Sequence, residues 1–318
     1  MQYIVTGCAG FIGSTLTDHL LSNGQNVLGV DCFRDYYNPV IKRGNLSSAQ
    51  KHDGFNLLEL DLSRQSLPNA STLTNGEPFV VFHLAAQPGV RSSWGKEFSF
   101  YTQDNINATQ NLLEWCLQAD NMQNLVFASS SSVYGNAKEL PMHEDRTIPK
   151  PYSPYGVTKL AAENLVSLYH TNYSLPTVSC RFFTVYGPRQ RPDMAFHRFI
   201  TAGLHDKPIT IYGSGEQTRD FTFVSDIIDG LIKAQTITNG EIFNLGGGNR
   251  VTLNKALETL QRVMGKNLKL QHDDFQQGDV KNTLASTEKA SHILDWTPSM
   301  SLEEGLGNEY EWLRKLQK

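Results

Sequence analysis

Tyr155 and Lys159 stand four residues apart at the start of an amphipathic segment that continues to Leu168. This spacing places both side chains on one face of a helix. An ammonium group about 4 Å from a phenol contributes on the order of 4 kcal/mol at an effective dielectric constant near 20, which lowers the pKa of the phenol by about three units. Tyr155 can then remove a hydroxyl proton while hydride leaves the same carbon. The pair predicts an acid/base tyrosine tuned by a lysine.

The same spacing occurs a second time, at Tyr134 and Lys138. Gly135 and Asn136 lie between them and favour a turn, so these side chains need not share a face. An isolated Tyr–Lys pair is also compatible with an ordinary, solvated start of a helix. The spacing therefore needs support from other residues before it indicates catalysis.

Four consecutive serines, Ser129–Ser132, provide that support, because they follow the apolar run Leu125–Ala128. In doubly wound folds, ligands bind at the carboxyl ends of the strands. A serine at this position can hydrogen-bond a reacting oxygen beside Tyr155. Four serines in a row are also compatible with a polar loop, but their place at the end of a strand favours a functional role for Ser130.

Gly7, Gly10 and Gly13 lie between the first apolar run, Tyr3–Val5, and an amphipathic stretch, Ile12–Leu21. Glycines allow a tight turn and a close approach of the backbone to a pyrophosphate, whose charge then lies at a helix N-terminus. Three glycines at this spacing are weak evidence alone. Their position at the first strand–turn–helix junction predicts a dinucleotide site, against the alternative of a turn that serves packing only.

Asp31 ends the second apolar run, Val27–Val30. A carboxylate at this point accepts hydrogen bonds from the adenosine ribose and repels a 2′-phosphate, which favours NAD over NADP. Arg34, Lys42 and Arg43 follow closely and can soften this preference. A helix-capping role is the alternative for Asp31.

Short apolar runs alternate with amphipathic stretches along the first half of the chain. The predicted strands are Tyr3–Val5, Val27–Val30, Leu57–Leu60, Val80–Leu84, Leu125–Ala128 and Thr177–Phe183. This alternation predicts an α/β fold with a doubly wound parallel sheet (a Rossmann fold) and a smaller α/β lobe for substrate. We predict an NAD-binding domain over residues 1–184 and a mainly substrate-binding lobe over 185–318, with some later segments returning to the first domain.

The 318 residues carry a formal net charge of −4, and 39% of them are hydrophobic. This composition is typical of a soluble globular protein and argues against nucleic-acid binding driven by bulk charge. The four cysteines have no metal-ligand spacing, so we expect buried thiols and no metal site. No apolar run approaches the ~18 residues of a membrane span, and Met1 runs directly into the first strand without room for a signal peptide. We expect a cytoplasmic enzyme.

Together these features resemble the extended short-chain dehydrogenase/reductase family over essentially the whole chain. The matching positions are Thr6–Gly13, Asp31, Asp61–Leu62, His83–Ala86, Asn105, Ser130 and Tyr155–Lys159. The resemblance implies Ser130, Tyr155 and Lys159 as catalytic residues and a homodimer that pairs the helices around Asn105–Leu117 and Tyr155–Tyr169. It also implies that NAD is held by Gly7, Gly10, Phe11, Ile12, Gly13, Asp31, Asp61, Leu62, Leu84, Ala85, Ala86, Asn105, Tyr155, Lys159 and Phe183. Within this set, Asp61 and Leu62 flank the adenine, and Phe183 lies by the nicotinamide.

Within the family, the chain resembles the nucleotide-sugar 4-epimerases. Related 4,6-dehydratases and UDP-glucuronate decarboxylases carry an acidic residue in the loop that here reads Ser130–Gly135, and this loop has no carboxylate. Epimerisation needs only the tyrosine, lysine, serine and NAD. The resemblance therefore implies an epimerase that oxidises a sugar at C4 and reduces it again with the same cofactor.

Pro88–Trp94, Arg181–Ala195 and Asp31–Tyr37 are similar to the corresponding segments of UDP-glucuronic acid 4-epimerases. Candidate substrate residues by this resemblance are Arg91, Ser130, Ser131, Ser132, Thr184, Arg189, Arg191, Arg219 and Asp279. The hydroxyls can bind the glucuronate carboxylate, whereas Arg189 and Arg191 meet either this carboxylate or the diphosphate. Each arginine can also be an ordinary surface ion pair.

Two positions depart from the family pattern. Gln277 stands where relatives often have proline before Gly278-Asp279, and Ser286 stands where they commonly have aspartate.

We predict conversion of UDP-glucuronate to UDP-galacturonate. The alternatives are a 4-epimerase of UDP-glucose or UDP-N-acetylglucosamine, a UDP-glucuronate decarboxylase and a non-catalytic NAD-binding regulator.

Overall fold

The computed structural model of the chain describes residues 1–274 and 278–316. Its strands are β1 (Gln2–Thr6), β2 (Asn26–Asp31), β3 (Phe55–Glu59), β4 (Phe79–His83), β5 (Met122–Ser130), β6 (Thr177–Phe182), β7 (Val185–Tyr186), β8 (Ile209–Tyr212), β9 (Thr218–Asp220), β10 (Thr222–Phe223), β11 (Asn239–Leu245), β12 (Arg250–Thr252) and β13 (Leu270–Asp273). Its helices are α1 (Phe11–Ser22), α2 (Pro39–Asn45), α3 (Ala70–Thr74), α4 (Phe98–Tyr101), α5 (Ala108–Leu117), α6 (Pro154–Tyr173), α7 (Ala195–Leu204), α8 (Val224–Ala234), α9 (Leu253–Met264), α10 (Glu288–Leu294) and α11 (Leu302–Leu316).

A seven-stranded sheet of order β3-β2-β1-β4-β5-β6-β11 forms the centre of the molecule. All of its strand pairs are parallel. The strand order reverses between β1 and β4, which opens a crevice at the carboxyl ends of these two strands. The predicted doubly wound α/β fold is thus confirmed.

Alternate residues of each strand enter two different cores, one on each face of the sheet. Tyr3 and Val5 pack with α1 and α8, whereas Ile4 packs with α5 and α6. Side chains of a strand alternate between its faces, so a strand covered by helices on both sides must be apolar throughout. This burial explains why the predicted strands are continuous apolar runs instead of alternating patterns.

Smaller sheets follow the sixth strand. They are the two-stranded pairs β7–β10, β9–β12 and β8–β13, and helices α7, α9 and α11 pack around them. The strand β11 lies beyond residue 185 and pairs with β6 at the edge of the large sheet. The division of function between residues 1–184 and 185–318 stays a prediction.

The helix predicted around Asn105–Leu117 starts earlier than expected, at Phe98. Its first turn, α4, runs into a π-helical turn, Thr102–Asn107, before α5 begins. A π turn changes the angular spacing of side chains, so the 3.6-residue periodicity is lost across it. None of the helices in the described part of the chain combines the length and apolar character that crossing a membrane requires.

Candidate active site

One cavity lies at the carboxyl ends of β1, β2, β4 and β5, at the reversal of strand order. Its lining includes all three glycines of the first turn and both members of the Tyr–Lys pair. Of the other predicted cofactor residues, it includes Phe11, Ile12, Asp31, Asp61, Leu62, Leu84, Ala85 and Ala86. Residues that are distant in sequence are thus brought into one cleft.

The glycine turn leaves no room for side chains. Gly7 has a φ of +70°, and a Cβ atom on it would lie 2.8 Å from the backbone nitrogen of Ala85. A Cβ atom on Gly13 would lie 2.1 Å from the carbonyl oxygen of Gly7. Only glycine fits both positions, and the bare backbone then leads directly into the N-terminus of α1. This arrangement suits a pyrophosphate.

Asp31 is buried at the end of β2, where its carboxylate organises the turn. Its two oxygens accept hydrogen bonds from the backbone N–H groups of Ala9, at 3.1 Å, and Phe33, at 2.7 Å. Each carboxylate oxygen has a further lone pair for a ribose hydroxyl. The predicted NAD contact and a structural role are therefore compatible in the same residue.

The basic residues near Asp31 already have partners within the protein. Arg34 bridges Asp61, at 3.0 Å, and Asp104, at 2.6 Å. Lys42 donates to the carbonyl oxygen of Arg34, and Arg43 forms an exposed ion pair with Glu59. Carboxylates thus compensate the charges of Arg34 and Arg43, which disfavours the softened preference for NAD at these two residues, whereas Lys42 bonds a neutral carbonyl and lines the cavity.

Tyr155 and Lys159 lie on the first turns of α6, which Ser153 caps by accepting a hydrogen bond from Gly156 N–H. Burial lowers the pKa of Lys159 to about 7, against the opposing charge of Glu163. Burial raises the pKa of Tyr155, and hydrogen bonding to Ser130 and the charge of Arg191 oppose this rise. The charge of Arg191 therefore acts on Tyr155 in the direction that the sequence argument gave to Lys159. The tuning of Tyr155 by Lys159 stays a prediction.

The serine run turns sharply where β5 ends. Ser130 is the last residue of β5 and caps a short 3-10 turn, Ser131–Val133, by accepting a hydrogen bond from Ser132 N–H at 3.2 Å. A Cβ atom on Gly156 would lie 2.5 Å from the carbonyl oxygen of Ser132, so the serine turn packs tightly against the start of α6. This contact holds Ser130 beside Tyr155.

Asn105 and Phe183 lie behind the cavity rather than on its surface. Asn105 is buried and bonds to Gln87, through both its amide oxygen and its amide nitrogen, and to Thr158 Oγ1. Phe183 packs with Tyr134 in a separate apolar cluster, and its neighbour Phe182 lines the cavity. Asn105 thus ties the loop after β4 to α6, and Phe182, not Phe183, lines the cavity, so the predicted contacts of Asn105 and Phe183 with NAD stay predictions.

The structure places the two arginines of the Arg181–Ala195 segment differently. Arg191 lines the cavity with Tyr155 and pairs with Asp193. Arg189 has a φ of +70° and pairs with Asp18 on α1, away from the cavity lining. A left-handed residue reverses the chain direction, so side chains two positions apart diverge. Only Arg191 reaches the reaction end of the cleft.

Three of the other substrate candidates, Arg91, Arg219 and Asp279, form a cluster, and none of the three lines the cavity that contains Tyr155. Arg91 pairs with Asp279, at 2.7 Å, and stacks 4.4 Å from the ring centroid of Tyr212. The charges of Arg91 and Asp279 both act on Arg219, which donates hydrogen bonds to two backbone carbonyls. Thr184 is half-buried directly after β6, and its carbonyl accepts from Thr222 N–H. The departure at Gln276 and Gln277 lies outside the described residues, and Ser286 is buried.

Sequence reasoning missed a buried polar network beneath the site. Glu163 forms an ion pair with Arg181, at 2.6 Å, and accepts from Ser129 Oγ at 2.5 Å. The hydroxyl of Tyr134 accepts from Arg181 and donates to Asn244 Oδ1. Tyr134, the tyrosine of the other Tyr–Lys pair, therefore has a structural role. A charged residue within the apolar run Thr177–Phe182 was the signal for this network.

Comparison with known proteins agrees with this cleft. Residues 3–246 match the model of the NAD dependent epimerase/dehydratase family. The chain belongs to this family. The predicted kinship with NAD-dependent epimerases is therefore confirmed, and the position of the glycine turn, Asp31, Tyr155 and Lys159 in one cavity is its structural counterpart.

Relatives of this epimerase/dehydratase chain match it over nearly their full length. A UDP-glucuronate 4-epimerase of Thermodesulfobacterium geofontis is 41% identical, over 98% of this chain and 96% of its own. A protein of Bacillus subtilis named an uncharacterised UDP-glucose epimerase is 43% identical, over 99% of both chains. The crystal structure of a Bacillus cereus UDP-glucuronic acid 4-epimerase with UDP-glucuronic acid and NAD has a TM-score of 0.93, with 42% identity over 99% of this chain and 100% of that chain.

Proposed function

We propose that this chain catalyses the NAD-dependent 4-epimerisation of a UDP-sugar, with UDP-glucuronate and UDP-galacturonate as the interconverted pair. The observation that carries the proposal is the position of Arg191, which brings a guanidinium group into the cavity that also contains Tyr155 and Lys159. The ring of a neutral hexose has no charge for this group to meet, so that in a UDP-hexose the guanidinium could pair only with the diphosphate. The relatives named for UDP-glucuronate support the same substrate.

Residues of the chain account for the proton transfers. Ser130 hydrogen-bonds O4 of the sugar, and Tyr155 removes the proton of the O4 hydroxyl and later returns it. NAD, when bound, accepts hydride from C4 and gives it back to the opposite face of the ring. The Arg191 guanidinium lowers the pKa of Tyr155, against the effect of its burial, and a positive nicotinamide, once bound, would act in the same direction. No proton or electron is lost over the full cycle, so no NAD is consumed, and we propose that the cofactor stays bound between turnovers.

The oxidised form of this substrate is prone to decarboxylation. A ketone at C4 and a carboxylate at C5 make a β-keto acid, which loses CO₂ when the carboxylate aligns with the ketone π system. We infer that Ser131, Ser132 and Thr184 hold the carboxylate out of this alignment by neutral hydrogen bonds, with Arg191 as its charged partner. Release of UDP-pentose and CO₂ in place of UDP-galacturonate by the wild-type protein would contradict this role.

The runner-up is a 4-epimerase of neutral UDP-hexoses, which the name of the Bacillus subtilis relative favours. A relative 39% identical, MoeE5, has been crystallised with UDP-glucose and NAD and also with UDP-glucuronic acid and NAD. Turnover of UDP-glucose and UDP-glucuronate, measured side by side, separates the two functions. A higher kcat/KM for UDP-glucose would favour the runner-up.

A homodimer is part of the proposal. Exposed apolar side chains lie on α6, at Val157 and Leu168, and on α4, the first turn of the segment that leads into α5, at Phe98 and Phe100. Pairing of α5 and α6 with their copies across a two-fold axis would bury them. Light scattering of the purified protein tests this, and a monomer at micromolar concentration would contradict it. We also propose a cytoplasmic location.

The decisive assay is an incubation of the purified chain with UDP-glucuronate without added NAD. We expect UDP-galacturonate to appear until the two sugars reach equilibrium, because the cofactor stays bound. Absence of product both without and with added NAD would overturn the proposal. A non-catalytic regulator would retain its biological effect when Tyr155 is replaced by phenylalanine.

A further inference from the structure

Three segments that resemble UDP-glucuronic acid 4-epimerases in sequence meet at Tyr36. These segments are Asp31–Tyr37 after β2, Pro88–Trp94 after β4 and Arg181–Ala195, which contains β7. Tyr36 Oη lies 3.2 Å from Ser92 Oγ in the second segment and 3.4 Å from Asp193 Oδ2 in the third. A contact shared by three separate loops is not required by the sheet, so it calls for a functional reason.

Gly89 makes room for this contact. It has a φ of +105°, and a Cβ atom on it would lie 2.4 Å from Tyr36 Oη and 2.7 Å from Ser92 Oγ. Ser92 Oγ also lies 2.7 Å from the hydroxyl of Tyr101, whose ring packs edge-on to Tyr155 with 6.2 Å between centroids. The hydroxyl of Tyr36 thus lies in space that Gly89 leaves open, and the ring of Tyr101 lies between it and Tyr155.

Asp193 fixes the orientation of Arg191. Its two carboxylate oxygens accept from Nε and Nη2 of Arg191, each at 3.0 Å, and the guanidinium carbon lies 6.0 Å from the ring centroid of Tyr36. A bidentate pair holds the guanidinium in one plane and leaves its remaining N–H groups for a ligand. The hydrogen bond from Tyr36 in turn restrains the carboxylate of Asp193.

We propose that Asp193 and Tyr36 are positioning residues that set Arg191 for the carboxylate of the sugar and so determine the preference for a uronate over a neutral hexose. The inference rests on the proposed function. If only the negative charge of Asp193 mattered, it would repel the carboxylate of the sugar and weaken binding of the uronate. As a positioning residue, Asp193 instead strengthens this binding, because a freely rotating Arg191 would lose its orientation. The two roles therefore predict opposite effects of removing the charge.

The test compares two ligands that differ only at C6 of the sugar. Dissociation constants of UDP-glucuronate and UDP-glucose are measured by titration calorimetry on the NAD-loaded protein, and the readout is the constant for UDP-glucose divided by that for UDP-glucuronate, which is large when the uronate is preferred. For Asp193→Asn we expect this ratio to fall by about tenfold or more, the usual effect of a lost charged hydrogen bond. For Tyr36→Phe we expect a smaller fall in the same direction. General damage to the site would weaken both ligands equally and leave the ratio unchanged.

Asp18→Asn is the matched control, because it removes the carboxylate that pairs with Arg189, two residues from Arg191 on the same loop. It should leave the ratio as in the wild type. An Asp193→Asn ratio within twofold of the wild type, or one shifted toward UDP-glucuronate, would overturn the inference. Failure of the wild type itself to prefer UDP-glucuronate would instead count against the proposed substrate and, with it, this role of Asp193.

Discussion

Glu163 and Arg181 form a fully buried ion pair beneath the catalytic helix, with Arg181 Nη2 2.6 Å from Glu163 Oε1 and Nε 3.0 Å from Glu163 Oε2. The pair joins α6, which contains Lys159, to β6. The Glu163 carboxylate also accepts a hydrogen bond from Ser129 near the end of β5. One carboxylate therefore joins α6, β6 and β5, the three elements that set the distance between the serine turn and Tyr155.

Glu163→Gln should lower the free energy of unfolding by about 3–5 kcal/mol, because it leaves the buried charge of Arg181 without a counter-charge. Urea denaturation measures this loss. Replacing both partners by methionine should recover much of the stability. Glu311→Gln, which breaks an exposed pair with Arg314, is the control and should cost less than about 1 kcal/mol. Equal losses for Glu163→Gln and Glu311→Gln would contradict this interpretation.

Tyr155→Phe should reduce epimerisation by at least about a hundredfold while NAD stays bound, because only the acid/base hydroxyl is removed. Tyr134→Phe removes the hydroxyl of the other Tyr–Lys spacing. It should reduce stability by about 1–3 kcal/mol, since two buried partners lose a hydrogen bond, and leave kcat near that of the wild type. Initial rates and thermal melts of both variants provide the comparison. A comparable loss of kcat in the two variants would remove the distinction between them.

Lys159 should destabilise the fold in a pH-dependent manner. Its pKa is about 7 in the folded protein against a usual value of 10.5, so between these values the unfolded chain binds a proton that the folded chain lacks. The penalty is absent above about pH 10.5, grows as the pH falls to 7 and stays constant below that. In the absence of bound dinucleotide, the Lys159→Met variant should therefore have a free energy of unfolding higher than that of the wild type by on the order of a few kcal/mol at pH 7.

This gain should shrink as the pH is raised toward 10, which unfolding curves at several pH values measure. Replacing the exposed Lys207 by methionine is the control and should show no such trend. A constant difference between Lys159→Met and the wild type at all pH values would show that the effect is one of packing.

Asp31→Asn should weaken NAD binding by about tenfold or more without producing a preference for NADP. An amide keeps one acceptor oxygen, so one of the N–H groups of Ala9 and Phe33 loses its partner. No cation is released for a 2′-phosphate, because Arg34 stays paired with Asp61 and Asp104. Fluorescence titration with both dinucleotides checks this, with Glu59→Gln at the exposed Arg43 pair as the control. Tighter binding of NADP than of NAD would refute the assignment.

Local patterns in the sequence were sufficient for six of the seven strands of the central sheet and for α6. The six predicted strands correspond to β1 through β6, with ends shifted by at most three residues, because strands buried on both faces are apolar at most positions. The shared helix face of Tyr155 and Lys159 was equally accessible, since four-residue spacing within one helix fixes which side chains lie together. Their proposed catalytic role, and that of Ser130, was inferred without knowledge of distant contacts.

The tertiary structure alone decided which charges face the cleft. Arg189 and Arg191 were equivalent in sequence, and a left-handed backbone at Arg189 separates them. Asn105 and Phe183 matched a family pattern but lie one layer behind the cavity, because a π-helical turn and the end of a strand direct their side chains inward. Sequence determines local geometry through short-range sterics and periodicity. The direction in which a loop side chain points depends on long-range packing, which here brings Tyr36, Arg191 and Asp193 together across more than a hundred and fifty residues of chain.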